Sequence, residues 1–275
     1  MSVLNEWDGN NFHGTMPLSN LANHVKNKFN GMLVFGDVHA DYESFKRAYE
    51  YAITHNYFLM SIGDLVDRGQ GPYETVSSMA ELSEVGKAGL TVGNHDDKFN
   101  RFYKGAKVSF SVDAKNTLAN VGPERQADFL KMYSTLVEKP MFSAMFHTFD
   151  DIILTHAAGH VSMWDNTVKF GSEARSRALY GEVSGKKHDD GFPMRDYNWV
   201  EDIPTGKTIV VGHDCSPIFY VDISEPMIKT NSRGGRVVFI DTGCGKRGIL
   251  SGVVIIHDKK QFKIDRFVKF NENAE

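Results

Sequence analysis

Five short apolar runs in this chain each end on a side chain able to bind a metal ion. They are MLVFG before Asp37, FLMSIG before Asp64, LTVG before Asn94, DIILT before His156 and TIVVG before His213. Asp37 and His39 stand two apart in GDVHA, on a chain just leaving its run, so both can face one ion. Asp64 in GDLVDRG adds a second carboxylate, and Asn94 opens the segment NHD. A lone Asp or His at such a place is commonly a cap or a turn residue, and Asn94 alone would be one. Five runs with the same ending argue for a site. Carboxylate, imidazole and amide donors together suit Mn, Fe, Zn or Co better than Ca or Mg, which prefer all-oxygen shells. Six donors exceed the needs of one tetrahedral ion, and two ions ~3.5–4 Å apart sharing one carboxylate fit the count. His160 follows His156 without the Glu of a metalloprotease motif and reads as structural. His13, His24, His55, His147, His188 and His257 have no comparable context and read as surface or core residues.

The runs are short, β-prone and continuous rather than alternating, as in strands buried on both faces. A glycine after such a run lets the backbone turn, and side chains just beyond strand C-termini lie in the crevice where open α/β sheets bind substrates. Helices are expected over Tyr42 to His55 and Pro123 to Val137, each carrying an apolar stripe, and over Tyr73 to Lys87, with Pro72 near its start. Residues 32–93 thus read as βαβαβ. RVVFI, GVVII and FKIDRFVKF, with DTGCGKRG between the first two, read as a meander or hairpins finishing a sheet. No repeat or linker stands out, so residues 1–275 are expected to form one domain, elaborated at about 98–150 and 160–205.

Composition narrows the classes. At 275 residues, 41% apolar and 24% charged, the chain is an ordinary globular one, neither disordered nor fibrous. A formal net charge of -4 disfavours long nucleic acid and anionic membrane as partners. The basic stretch Lys98, Arg101, Lys104 and Lys107 reads as a solvated face. Cys215 and Cys244 are far apart, which excludes a zinc ribbon and argues against a disulfide framework. The opening MSVLNEWDGNNFHG does not read as a signal peptide, and no apolar run nears the ~18 residues of a membrane span. A cytoplasmic location is expected.

GDVHA, GDLVDRG, GNHD, THAAG and VVGHD, in this order, resemble the calcineurin-like metallophosphoesterases, and DRG points to the phosphoprotein phosphatase branch. RALYGEVSGKKHDDGFPMRDYNW followed by VVGHD looks like the bacterial subgroup with diadenosine tetraphosphate hydrolases and the phosphatase domain of polynucleotide kinase-phosphatases. The resemblance spans roughly residues 31–250 and implies an α/β four-layer sandwich, two mixed β-sheets flanked by helices. It implies that Asp37 and His39 bind one ion, that Asp64 bridges two, and that Asn94, His156 and His213 complete the second. His95 matches the catalytic histidine, Asp67 its carboxylate partner and Arg68 a phosphate-binding arginine. A second such arginine is expected at Arg177, with Arg175 and Arg195 as rivals. Two divalent ions are the implied cofactors, manganese first, with Ni, Fe, Zn, Co and Mg as alternatives. The family usually has Gly where Ala40 stands, often Glu at Asp96, and Thr at Asp214.

The implied reaction is hydrolysis of a phosphate ester by direct attack of a water that, shared by two dications, loses a proton near neutral pH. Arg68 would grip phosphate bidentately, and His95 would protonate the leaving oxygen. A cysteine phosphatase is excluded because neither cysteine has an arginine at the C-x5-R spacing, and no P-loop exists for an NTPase. An inactive binding module should have lost a ligand, and none is lost. The substrate stays open between a phosphoprotein, a dinucleoside polyphosphate or other nucleotide, and a nucleic-acid end. Phe99, Phe102, Tyr103, Phe192, Tyr197 and Trp199 could stack a base, although each reads more readily as local core.

Overall fold

The computed structural model describes residues 19–187, 189, 191, 193–215 and 225–270. The N-terminal opening, His13, His188 and Phe192 lie outside the described residues. The strands are β1 (Gly31–Phe35), β2 (Tyr57–Ser61), β3 (Ala88–Thr91), β4 (Ser143–Ala144), β5 (Phe146–Phe149), β6 (Ile152–Thr155), β7 (Glu182–Lys187), β8 (Pro193–Asp196), β9 (Thr208–Val211), β10 (Met227–Thr230), β11 (Arg236–Phe239), β12 (Leu250–His257) and β13 (Phe262–Phe270). The helices are α1 (Ser19–Lys28), α2 (Tyr42–Thr54), α3 (Pro72–Glu84), α4 (Asn94–Tyr103), α5 (Val112–Val121), α6 (Gln126–Val137) and α7 (Ser172–Tyr180).

Two mixed sheets carry the fold. The first runs β13-β12-β1-β2-β3-β4 and the second β10-β11-β9-β6-β5, while β7 and β8 form a separate hairpin. β1, β2 and β3 pair in parallel through α2 and α3, the expected βαβαβ unit. Asp41 caps α2 by accepting from the Ser44 N–H at 3.1 Å, and Pro72 opens α3, where its missing N–H costs nothing. Period-two alternation explains why β1 is apolar throughout. Met32 and Val34 belong to the core between the sheets, with Leu154, Val210, Val238 and Ile240. Leu33 and Phe35 face the opposite way, Phe35 meeting Phe45 of α2 edge-on at 6.0 Å between ring centroids. Each such burial contributes about 1.5–3 kcal/mol. On the far face of the second sheet Phe239 meets Tyr197, and Ile209 lies by Trp199 at Gly159. Helix, sheet, sheet and a helix-containing layer therefore stack as the resemblance implies.

The C-terminal strands depart from the expected meander. β11 pairs in parallel with β9 in the second sheet, whereas β12 pairs antiparallel with β1 in the first. DTGCGKRG is therefore a crossing between sheets, and only β12–β13 is a hairpin. Among the described residues no helix is long and apolar enough to cross a membrane.

Candidate metal centre

All five ligand-bearing segments leave the same edge of the sandwich, at the C-terminal ends of β1, β2, β3, β6 and β9. Gly93 and Gly212 are needed there for proximity rather than for a special turn. A Cβ on Gly93 would stand 2.3 Å from Asp64 Oδ1, and one on Gly212 would stand 2.4 Å from Asp37 Oδ1. The ligands themselves take the strained backbone. His39, Asp64 and His213 have φ of 48°, 53° and 68°, and Asp67 and Arg68 follow at 73° and 75°. Left-handed non-glycine residues are rare and gather at functional sites. Ala40 shares the conformation at φ 60°, which accounts for the family's usual glycine there.

Donor atoms of Asp37, His39 and Asp64 lie within 4.8 Å of one another, and so do those of Asp64, His156 and His213. Asp64 is common to both groups. His156 Nε2 is 3.1 Å from Asn94 Oδ1, 3.1 Å from His213 Nδ1 and 3.5 Å from Asp64 Oδ2. The structure thus brings together all six side chains singled out from the sequence. Outer partners fix the rings. His156 Nδ1 lies 2.9 Å from the Ile62 carbonyl and His39 Nδ1 3.0 Å from that of Val66. A carbonyl only accepts, so both Nδ1 atoms carry a proton and each Nε2 is the ring atom left facing inward to serve as a ligand. Asp37 Oδ2 and His213 Nε2 are buried with no hydrogen-bond partner. Orphaned buried polar atoms are costly unless something absent from the polypeptide meets them.

The electrostatics ask for positive charge. Burial opposes ionisation of His156, but the charges of Asp64 and Asp37 outweigh it and push its pKa up to about 10. Burial, with Asp64 adding, raises Asp37 to about 6. Burial, with Arg68 and His95 beside it, lowers His39 to about 3, keeping that imidazole neutral as a ligand must be. Buried donors of this kind fit a pair of divalent ions.

His95 stands at the N-terminal end of α4, with Nδ1 donating to Asp67 Oδ2 and Nε2 3.8 Å from Asp64 Oδ2. Burial disfavours its protonation, but Asp64 and the bond to Asp67 prevail and raise its pKa. Thr117 of α5 holds the other Asp67 oxygen at 2.7 Å. Arg68 Nη1 reaches His39 Nε2 at 2.6 Å, and its Nε lies 3.6 Å from Asp113.

The three candidates for the second arginine differ in what holds them. Arg177 is held by Glu182 at 2.9 Å and Glu173 at 3.1 Å. Arg175 is bound to Asp97 at 2.5 Å. Arg195 donates to the Tyr180 carbonyl, and its charge acts on His213, whose pKa is held well down by burial, His156 and Arg195 in turn. A Cβ on Gly181 would stand 3.6 Å from Arg195 Nη1 and 3.9 Å from the Ala157 Cβ, so Arg195 lies near the residue that follows His156.

Two buried carboxylates escaped the sequence reading. Asp96 accepts from Asp64 N (2.9 Å), Gly93 N (2.7 Å), Leu65 N (3.1 Å) and the Tyr133 hydroxyl, tying the Asp64 loop to the Asn94 loop. Asp241 accepts from Gly243 N at 2.9 Å, leaves Oδ2 without a hydrogen bond and has Lys246 at 3.5 Å. Burial first and Asp37 next push its pKa well up. It follows RVVFI directly, so the rule that found the other strand-end acids applies to it as well. Asp214 accepts from the Tyr197 hydroxyl rather than facing solvent. His160 accepts from Ser162 N at 3.2 Å, a capping role. Cys244 is buried, and burial and Asp41 push its thiol up; burial raises Cys215 to about 11. Neither has the character of a nucleophile.

Comparison with known proteins agrees with this geometry. Residues 32–242 match the family described as Calcineurin-like phosphoesterase. The asymmetrical bis(5'-nucleosyl)-tetraphosphatase PrpE of Halalkalibacterium halodurans is 27% identical over 232 residues, 80% of this chain and 88% of the relative. That of Anoxybacillus flavithermus is 29% identical over 207 residues, 71% and 74%. A crystal structure provisionally assigned as a diadenosine tetraphosphatase covers 89% of this chain and 96% of its own, with a TM-score of 0.53 at 17% identity, and shares the fold. The family uses a dinuclear divalent metal centre, and its candidate ligands are all in place. The chain belongs to the calcineurin-like phosphoesterases, hydrolases of phosphoester bonds.

Proposed function

We propose that this chain hydrolyses dinucleoside tetraphosphates with two divalent ions, manganese first among them. The observation that carries the metal reading is the convergence of six donors from five strand ends into two groups joined at Asp64, with Asp37 Oδ2 and His213 Nε2 buried and partnerless. The relatives' substrates favour a nucleotide over a phosphoprotein or a nucleic-acid end. Asp37 and His39 would hold one ion, Asn94, His156 and His213 the other, with Asp64 between. Bound there, the ions supply Lewis acidity that activates water and neutralises phosphoryl charge.

The chain's own residues do the rest. Arg68, released from His39 Nε2 when that lone pair is taken, turns its planar fork to phosphate. Arg195, rather than Arg177, makes the second phosphate contact. Asp67 holds the Nδ1 proton of His95, leaving Nε2–H to protonate the leaving oxygen. Mixed nitrogen and oxygen donors support manganese, iron or zinc over calcium. The test is hydrolysis of diadenosine tetraphosphate by chelated and manganese-reloaded protein. ATP and AMP as metal-dependent products support the reading. Failure on this substrate alongside turnover of a phosphoserine peptide would overturn the nucleotide assignment.

A further inference from the structure

A groove of about 770 Å³ opens between α4 and α7, lined by Arg101, Lys104, Arg175, Tyr180 and Asp97 among others. Both of its walls are helices that also meet the metal-site segments. α4 begins with Asn94 and His95, and at 1.5 Å per residue Arg101 stands roughly 10 Å along it from Asn94. α7 ends beside the centre, since Ala157, next to His156, donates from its N–H to Ala178 O at 2.8 Å, and Arg195 donates to the carbonyl of Tyr180. Arg101, Lys104 and Arg175 thus line one groove between these two helices.

Their pairing is arranged rather than neutralised. Asp97, 4% exposed, fixes the Arg175 guanidinium at 2.5 Å but reaches Arg101 only at 3.9 Å. The Arg101 side chain stays 47% exposed. Lys104 meets Glu138 on the far side. Tyr180, 42% exposed, supplies an aromatic surface. Exposed guanidinium groups beside an aromatic ring are the chemistry that holds a phosphate and a base together. The basic stretch that reads as a solvated face in the sequence therefore has two of its members in a cleft.

The geometry points to this groove as the subsite for the second nucleotide of a dinucleoside polyphosphate, with Arg101 and Arg175 on its phosphates and Tyr180 against its base. This deepens the substrate reading above and rests on it. The arrangement makes Arg101 and Tyr180 specificity-determining residues: they act on substrates long enough to reach them.

Two measurements on manganese-loaded protein test it, with Arg101→Glu and Tyr180→Leu as variants. The first is kcat/KM for diadenosine tetraphosphate and for p-nitrophenyl phosphate. Each variant should lose at least tenfold more on the long substrate than on the short one, mainly through KM. The second is calorimetric binding of a non-hydrolysable ATP analogue, which should weaken at least tenfold in each variant. Equal losses on both substrates, or unchanged analogue binding, would overturn the subsite. If wild type ignores diadenosine tetraphosphate but the analogue binds and the variants weaken it, the substrate reading fails and the groove stands as a nucleotide site. If wild type does not bind the analogue, or a phosphopeptide blocks the groove instead, the subsite fails whatever the activity.

Discussion

Asp67→Asn removes one charge beside His95 and almost no volume. Asp67 accepts from His95 Nδ1 through one oxygen and from the Thr117 hydroxyl through the other at 2.7 Å. An asparagine oxygen can still accept from Nδ1, and its amide can donate to Thr117, because a hydroxyl rotates to accept. The ring should therefore keep its place, and the variant should fold. What it loses is the difference between a charge-assisted bond, about 1.5–3 kcal/mol, and a neutral one, about 1 kcal/mol. The imidazolium is destabilised by on the order of 1–2 kcal/mol, a factor of about 5–30 in rate if His95 is the acid. The assay is kcat across an aryl and an alkyl phosphate. The aryl ester leaves without much help and should lose little, while the alkyl ester should lose the full factor. Wild-type kcat on both esters, or equal loss on both, would refute the assignment of His95 as an acid tuned by Asp67. Thr117→Val is the companion variant and should act in the same direction, more weakly.

Other consequences follow from single positions. Ala40→Gly should stabilise by about 0.5–1 kcal/mol in urea denaturation, against the usual sign, because φ 60° strains an alanine more than a glycine. Gly93→Ala should strip metal from the protein, read by metal analysis after dialysis, since its Cβ would fall 2.3 Å from Asp64 Oδ1. His147 is fully buried and donates to Leu90 O at 3.1 Å, and burial lowers its pKa to about 4 from 6.5. The unfolded chain therefore takes the proton first, and stability is lost as pH falls from 6.5 toward 4. That loss is on the order of 3 kcal/mol for this group, so the stability gap between wild type and His147→Gln should narrow or reverse over that window in metal-free protein.

The centre was legible in the sequence because its positions obey a local rule. An apolar run, buried on both faces, delivers the next polar side chain to the sheet edge, and Asp37, Asp64, Asn94, His156 and His213 all obey it. Asp241 obeys it too, but the glycines after it read as a hairpin turn, and which sheet β11 joins is a matter of long-range pairing that no window contains. α2 and α6 showed their apolar stripes, and α3 its opening proline. α4 did not, because its first turn, Asn94 to Asp97, is polar for the site's sake and Asp96, Asp97 and Asn100 are buried by partners rather than by hydrophobicity. β7 and β8 hid for the opposite reason: they are mostly exposed and carry no alternation. The choice among Arg175, Arg177 and Arg195 was beyond spacing altogether. It turns on Glu173 and Glu182 holding one, Asp97 another, and the Tyr180 carbonyl the third.

The measurement closest to the central claim is metal-binding stoichiometry. Chelated protein is titrated with manganese by calorimetry, alongside Asp64→Asn. The account predicts two ions per chain in wild type, fewer or much weaker sites in the variant because Asp64 belongs to both donor groups, and activity that returns with the second ion. One ion per chain, or a variant that still binds two with wild-type affinity, would contradict it.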